Sequence, residues 1–178
     1  MASDGVYFDI DTKLMLHNDS SLFPDDSTAI KTVTNNSSVT LDTIVKKFGN
    51  GSAQFSGTNW LSVADDVDFN FGSGDATIEA QINTSIGATY QFIVGQYNSN
   101  NGGTDASLSF FVRPTDGFVY SSFSVGGVNK TIIGTSNVGD GSWHHVALVR
   151  SSTSIILFVD GTSAELGKSK FNHAVLES

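Results

Sequence analysis

Apolar side chains recur at every second residue in short runs cut off by Gly, Asn, Asp and Ser, a period that commits the chain to strands. The runs fall at 6–10, 13–16, 38–41, 53–55, 61–63, 76–82, 90–96, 107–113, 118–125, 130–133, 143–150, 154–159 and 171–176. Their spacing predicts about twelve strands. No window of 11 or more residues keeps apolar side chains at helical spacing, so helix is expected to be nearly absent. Between Ile78 and Ile82 the alternation sets Ile78, Ala80 and Ile82 on one face and Glu79 and Gln81 on the other. Segment 143–150, WHHVALVR, is apolar on both faces and predicts a central strand. After it, SSTS joins two strands, and Asp160-Gly161 supplies the positive φ of a two-residue hairpin turn. The longest polar loop is 97–106, and 17–29 has no period.

The 178 residues suffice for one domain, and no linker marks a second, so 1–178 is expected to fold as a single sandwich. Eighteen Gly, 13 Phe and only 2 Pro suit many strands joined by tight turns. Nine Lys and Arg against 18 Asp and Glu leave a net charge of −9, the wrong sign for a phosphate backbone. Nucleic acid is thereby excluded as an expected partner, anionic membranes are disfavoured by the same sign, and no apolar stretch predicts membrane insertion. The start MASDGVYFDIDTK has neither the basic nor the apolar part of a secretory leader, so export by the usual route is not expected. Without Cys there is neither a disulfide nor a thiolate site.

Three blocks in order carry a family resemblance: LMLHNDS at 14–20, KFGNGSAQFSGTNWLSVADDVDFNFGSGDATIEAQI at 47–82, and GSWHHVALVRSSTSIILFVDG at 141–161. Phe48-Gly49, Phe55, Gly57 and the run 68–79, then Trp143-His144-His145-Val146 and Phe158-Val159-Asp160-Gly161, resemble the laminin-G-like jelly rolls common in phage and bacterial surface proteins. The resemblance implies an all-β, antiparallel sandwich of the concanavalin A-like kind, and it makes the His pair a structural signature. Two departures stand out. Ala80-Gln81 replaces a usual aromatic pair, implying a remodelled face, and the chain stops at Ser178 without the family's late strand. A sheet lacking a strand leaves an unpaired edge. The expectation is that 6–10 or 13–16 pairs with FNHAVLES at 171–178, or that the chain self-associates as a homo-oligomer or docks on a partner subunit.

Catalysis is not expected. A retaining glycosidase needs two carboxyls about 5–5.5 Å apart, and the only Glu residues, Glu79, Glu165 and Glu177, have no acidic neighbour two positions away on a strand. His144 and His145, adjacent on a strand, point to opposite faces and cannot share a metal in ordinary strand geometry. His17 and His173 lack a triad partner. The fifteen Asp suit turns, with Asp25-Asp26 and Asp65-Asp66 read as solvated and Asp68 as a cap on the turn before Phe71. Asp65, Asp66 and Asp68 are also the candidate calcium ligands, oxygen donors of the kind such domains use, although they lack the calcium-loop spacing. For sugar, which needs aromatic planes and amides, the candidates are Trp60, Tyr97, Asn98, Asn100 and Asn101. Trp60 is also readable as core against Leu61 and Phe55.

Two functions fit. One is a structural virion component, a capsid decoration, cement or fibre protein, docking on other virion subunits at the virion surface. The other is a carbohydrate-binding adhesion module on a cell-surface glycan, with calcium as its one candidate cofactor. Outside a virion, an extracellular or cell-surface place is expected.

Overall fold

A computed structural model describes residues 11–18, 23–27, 30–70, 74–97, 106–125 and 128–165. The chain divides into two compact units, Met1–Phe69 and Asn70–Ser178.

In the first unit β1 (Val33–Asn36) pairs antiparallel with β4 (Trp60–Val63), and β2 (Thr40–Asp42) pairs with β3 (Ser52–Gln54). The sequence VTNN does not predict a strand, because Asn is depleted in sheets. Its side chains make the difference. Asn35 Oδ1 accepts the Val39 N–H at 2.8 Å and its Nδ2 donates to the Val39 carbonyl at 2.9 Å, while Asn36 Nδ2 donates to Ser62 Oγ at 2.9 Å. These bonds close the turn through Ser37 and Ser38, both at positive φ.

Segment 13–16 forms no strand, contrary to its apolar pattern. It is held instead by a loop: Met15 N–H donates to Asp25 Oδ1 at 3.0 Å, and Asp26 N–H donates to the Met15 carbonyl at 2.8 Å. Segments 6–10 and 171–178 lie outside the described residues, and with them the expected pairing of FNHAVLES. Asp25 is not solvated. It is 5% exposed, and its carboxylate accepts N–H groups from Met15, Ser27 and Lys31 and the Ser27 hydroxyl. Burial alone would raise its pKa, but these bonds outweigh burial and hold it below the usual carboxylate value.

The second unit is the sandwich. One sheet runs β12-β11-β10-β5 and the other β6-β7-β8-β9, both antiparallel. The strands are β5 (Ala76–Ser85), β6 (Gln91–Tyr97), β7 (Ala106–Val112), β8 (Phe118–Val125), β9 (Val128–Asn137), β10 (Asp140–Ser151), β11 (Ser154–Val159) and β12 (Thr162–Glu165). Leu108, Phe110, Val112, Val119, Phe123 and Ile132 from one sheet meet Val146, Leu148, Leu157 and Val159 from the other. Ile78, Ala80 and Ile82 pack on this core, and Glu79 and Gln81 turn outward, as their alternation predicts. Opposite Val159, Gly134 is buried, and a Cβ there would lie 3.0 Å from Val159 Cγ2 and 3.3 Å from the Val119 carbonyl, so any larger residue would have to push its neighbours back by a few tenths of an ångström. Asp160 and Gly161 have φ of 48° and 79°, the two left-handed residues of the expected hairpin. Helix is confined, among the described residues, to one 3-10 turn at Val67–Phe69.

Replacing Asp25 by Ala strands the Met15, Ser27 and Lys31 amides around a buried site. At roughly 1–3 kcal/mol for each buried donor left unmade, the variant is expected to lose at least about 2 kcal/mol in urea denaturation.

Candidate functional site

Core packing decides the site. With Leu108, Phe110 and Val112 turned inward on β7, Phe111 must face out, and register sets its neighbours. Phe92 on β6 opposes Phe111, Phe111 opposes Tyr120 on β8, and Tyr120 opposes Ile133 on β9, one apolar row across four strands. Phe92 and Phe111 centroids are 5.5 Å apart, and Phe111 stacks on Tyr120 at 5.8 Å. Tyr90, ahead of β6, meets Phe111 edge-on at 5.3 Å. Tyr90 and Phe92 remain 56% and 55% exposed, although rings of this size are the first that folding would bury.

The next row on the same face is small and hydroxylic. Gly95, Ser109, Ser122 and Thr131 oppose one another in order, and the Ser122 and Thr131 hydroxyls lie 3.1 Å apart. Two residues of strand separate the rows, about 7 Å. At the other end of the aromatic row, Arg113 lies 4.4 Å from the Tyr120 ring centroid and pairs with Asp116. Asp116 also accepts the Tyr120 hydroxyl at 3.1 Å and the Phe118 N–H at 3.1 Å. The Arg113 guanidinium holds the Asp116 carboxyl below its usual value, whereas burial and the Asp116 bond push the Tyr120 phenol up. Sequence reasoning missed this face. The available signal was a set of aromatics, Phe92, Phe111 and Tyr120, lying out of phase with the core positions of their own strands.

The sequence-predicted sugar residues fare differently. Asn98, Asn100 and Asn101 lie outside the described residues, and Tyr97 closes β6 opposite Ala106. Trp60 opens β4 opposite Asn36 and is 54% exposed, so it is not a core residue, and neither is the exposed Phe55.

Of the acidic candidates, Asp65 is exposed, but Asp66 and Asp68 are not simply solvated. Lys31 Nζ lies between them, 2.6 Å from Asp68 Oδ2 and 3.2 Å from Asp66 Oδ2. A lysine ammonium thus stands where a cation shared by these two carboxylates would stand. Asp66, not Asp68, caps the turn: its Oδ1 accepts the Asp68 N–H at 3.0 Å and its carbonyl accepts the Phe69 N–H at 3.0 Å. Among the described residues no three His, Cys, Asp or Glu side chains gather as metal ligands.

The two histidines face opposite ways. His145 Nε2 lies 3.2 Å from Glu79 Oε2 on the outer face. His144 sits between two carboxylates, Nδ1 2.7 Å from Asp160 and Nε2 3.1 Å from Asp140. Asp160 also accepts the His145 N–H at 2.9 Å and donates its own N–H to the His145 carbonyl at 2.9 Å. The pair therefore clamps the β11–β12 turn onto β10, a structural role.

A family model described as the concanavalin A-like lectin/glucanases superfamily, of laminin-G type, matches residues 55–174. The chain belongs to this family. The clamp joins the Trp143-His144-His145-Val146 run to the Phe158-Val159-Asp160-Gly161 run of this chain. No curated protein matches the chain. The binding domain of botulinum neurotoxin DC, solved in complex with rat synaptotagmin II, is similar at TM-score 0.62 and 12% identity, covering 94% of this chain and 43% of that one. The binding domain of Paraclostridial Mosquitocidal Protein 1 is similar at TM-score 0.61 and 13% identity, covering 94% and 44%. The chain thus spans less than half the length of these structures, and at such identities the likeness is one of fold.

The Asp160 bond raises the His144 pKa, helped by Asp140, and His144 in turn lowers both carboxyls. A raised imidazole contributes stability that is complete below its ordinary value near 6.5 and is lost as pH rises through the folded value. The lowered carboxyls contribute above their ordinary value near 4 and lose it on acidification. Thermal melting is expected to fall as pH is raised from 6 toward 9, and His144→Gln should flatten that slope; an unchanged slope would remove the clamp's electrostatic role.

Proposed function

We propose that this laminin-G-like chain is a non-catalytic binding module that holds a glycan on the outer face of the β6–β9 sheet. One observation carries the reading: an aromatic row, exposed at Phe92 and at the adjoining Tyr90, lies one step along the strands from a row of hydroxyls. A pyranose has an apolar C–H face and a rim of hydroxyls, so the rings of Tyr90, Phe92 and Phe111 suit its face. Ser122 and Thr131 suit its rim, and Gly95 leaves the platform open at its β6 end. The rows stand on paired strands, which fix side-chain positions more tightly than a loop would.

Among the described residues no acid–base pair stands on this face. Asp116 is bonded to Arg113, Tyr120 and the Phe118 amide, and Glu79 belongs to the other sheet. A glycan-binding role fits an extracellular or cell-surface place, and a virion surface equally. Among the described residues no helix is long and apolar enough to cross a membrane.

A second reading is favoured by Ile133, exposed at the β9 end of the same face. Aliphatic side chains add nothing to sugar stacking but widen an apolar patch, as docking on a virion subunit or a second copy would require.

A glycan array separates the two. Specific hits are expected, with affinity falling at least about tenfold in Tyr90→Ala and Phe92→Ala, the scale of losing one stacked ring, and holding in Trp60→Ala. A blank array together with a concentration-dependent oligomer that Phe92→Ala disperses would replace the glycan by a protein partner.

A further inference from the structure

The β2–β3 hairpin carries the most exposed apolar side chain described, Ile44 at 89%, with Phe48 at 68% and Val45 close by. Lys46 and Lys47 stand between them. The turn is built to hold this tip out in water. Asp42 Oδ1 accepts the Ile44 and Val45 N–H groups at 2.8 and 3.0 Å, and Ser52 Oγ donates to the Val45 carbonyl at 2.5 Å. Gly49 takes φ of 60°. A Cβ on Gly51 would lie 2.6 Å from Leu41 Cδ1 and 2.9 Å from the Asp42 carbonyl, so the hairpin closes only with glycine there.

Charge sets the tip apart from the rest of the chain. Residues 43–64 contain no Asp or Glu and two Lys, in a chain of net charge −9. We infer that this hairpin is a membrane anchor, Ile44 and Phe48 entering the acyl boundary of an anionic bilayer while Lys46 and Lys47 meet its headgroups. Adjacent lysines among apolar side chains are what a headgroup layer selects, because the stems lie along apolar surface while the ammonium groups reach phosphate. Protein interfaces select against them, Lys being depleted from interface cores. The Lys47 ammonium, 6.0 Å from the Phe48 ring centroid, already lies over the apolar side chain it would accompany.

Net charge argues against anionic surfaces for the chain as a whole, but that repulsion is screened beyond about 8 Å at physiological salt. At the tip itself Lys46 and Lys47 outnumber the one carboxylate, Asp42, whose Oδ1 is taken up by the Ile44 and Val45 amides. The inference is independent of the glycan reading, since plain phospholipid carries no sugar.

Vesicle sedimentation with the full chain tests it. The protein is expected to pellet with phosphatidylserine-containing vesicles and to remain in solution with phosphatidylcholine alone. Ile44→Ser with Phe48→Ser should cut partitioning at least about tenfold, as loss of two inserted side chains predicts. Lys46→Glu with Lys47→Glu should abolish the preference for anionic lipid. Circular dichroism melting at the parent temperature checks that both variants fold. No pelleting with anionic vesicles, or pelleting unchanged in the folded variants, overturns the inference. A dimer in light scattering that Phe48→Ser disperses, without vesicle binding, overturns it in favour of a second copy of the chain.

Discussion

Burying Phe110 forces Phe111 outward, and the face of the β6–β9 sheet follows from that constraint. Side chains on a strand alternate, so Leu108, Phe110 and Val112 can reach the core only if Ser109 and Phe111 leave it. Register then hands the outward phase to each neighbour: Phe92, Tyr120 and Ile133 join Phe111, and Gly95, Ser122 and Thr131 join Ser109. A slip of one residue would bring the aromatic row inside and expose the core, so the packing that stabilises the sandwich also specifies the platform.

Acidic side chains, in such a fold, are structural before they are anything else. Asp25 gathers three amides, Asp42 holds the hairpin tip, Asp116 orders the turn into β8, and Asp160 joins β10 to the β11–β12 turn. Each carboxylate replaces backbone partners that a turn cannot supply, which is why strands this numerous come with Asp this abundant. Asp66 and Asp68 show the same economy with a cation, since Lys31 pairs with both.

Much of this was legible in sequence where local chemistry decides. Asp160-Gly161 announces its turn because two consecutive positive φ values suit few other pairs, and Ile78, Ala80 and Ile82 announce their face by alternation. Segment 143–150 reads as central and β10 is paired on both sides. What failed depended on contacts distant in sequence. Val33–Asn36 is a strand only because Trp60–Val63 opposes it, and 13–16 is not one because Asp25 claims the Met15 amide. Trp60 looked like core on composition, yet its strand begins where the pairing ends, and its ring stays in water. The aromatic platform was hidden for a related reason: Phe110 and Phe111 are chemically identical, and only knowing which one is buried tells which one is offered.

Fold alone leaves function open, since sandwiches of this kind carry unrelated sites on one scaffold. What narrows it is exposure that folding has no reason to maintain. Tyr90 and Phe92 lie beside a well-filled core without entering it, and Ile44 and Phe48 are held in water by a turn with hydrogen bonds and two constrained glycines. Exposed apolar side chains scattered singly need no account, but rings aligned by register, or apolar residues fixed at a closed hairpin tip, do. The two surfaces also differ in chemistry. One is a flat aromatic row beside hydroxyls, complementary to a ring with an apolar face and a polar rim. The other is a narrow apolar tip with lysines, complementary to a fluid phase bearing negative headgroups. Because Tyr90, Phe92, Ile44 and Phe48 are exposed and draw on no core residue, they can be altered while the sandwich stands.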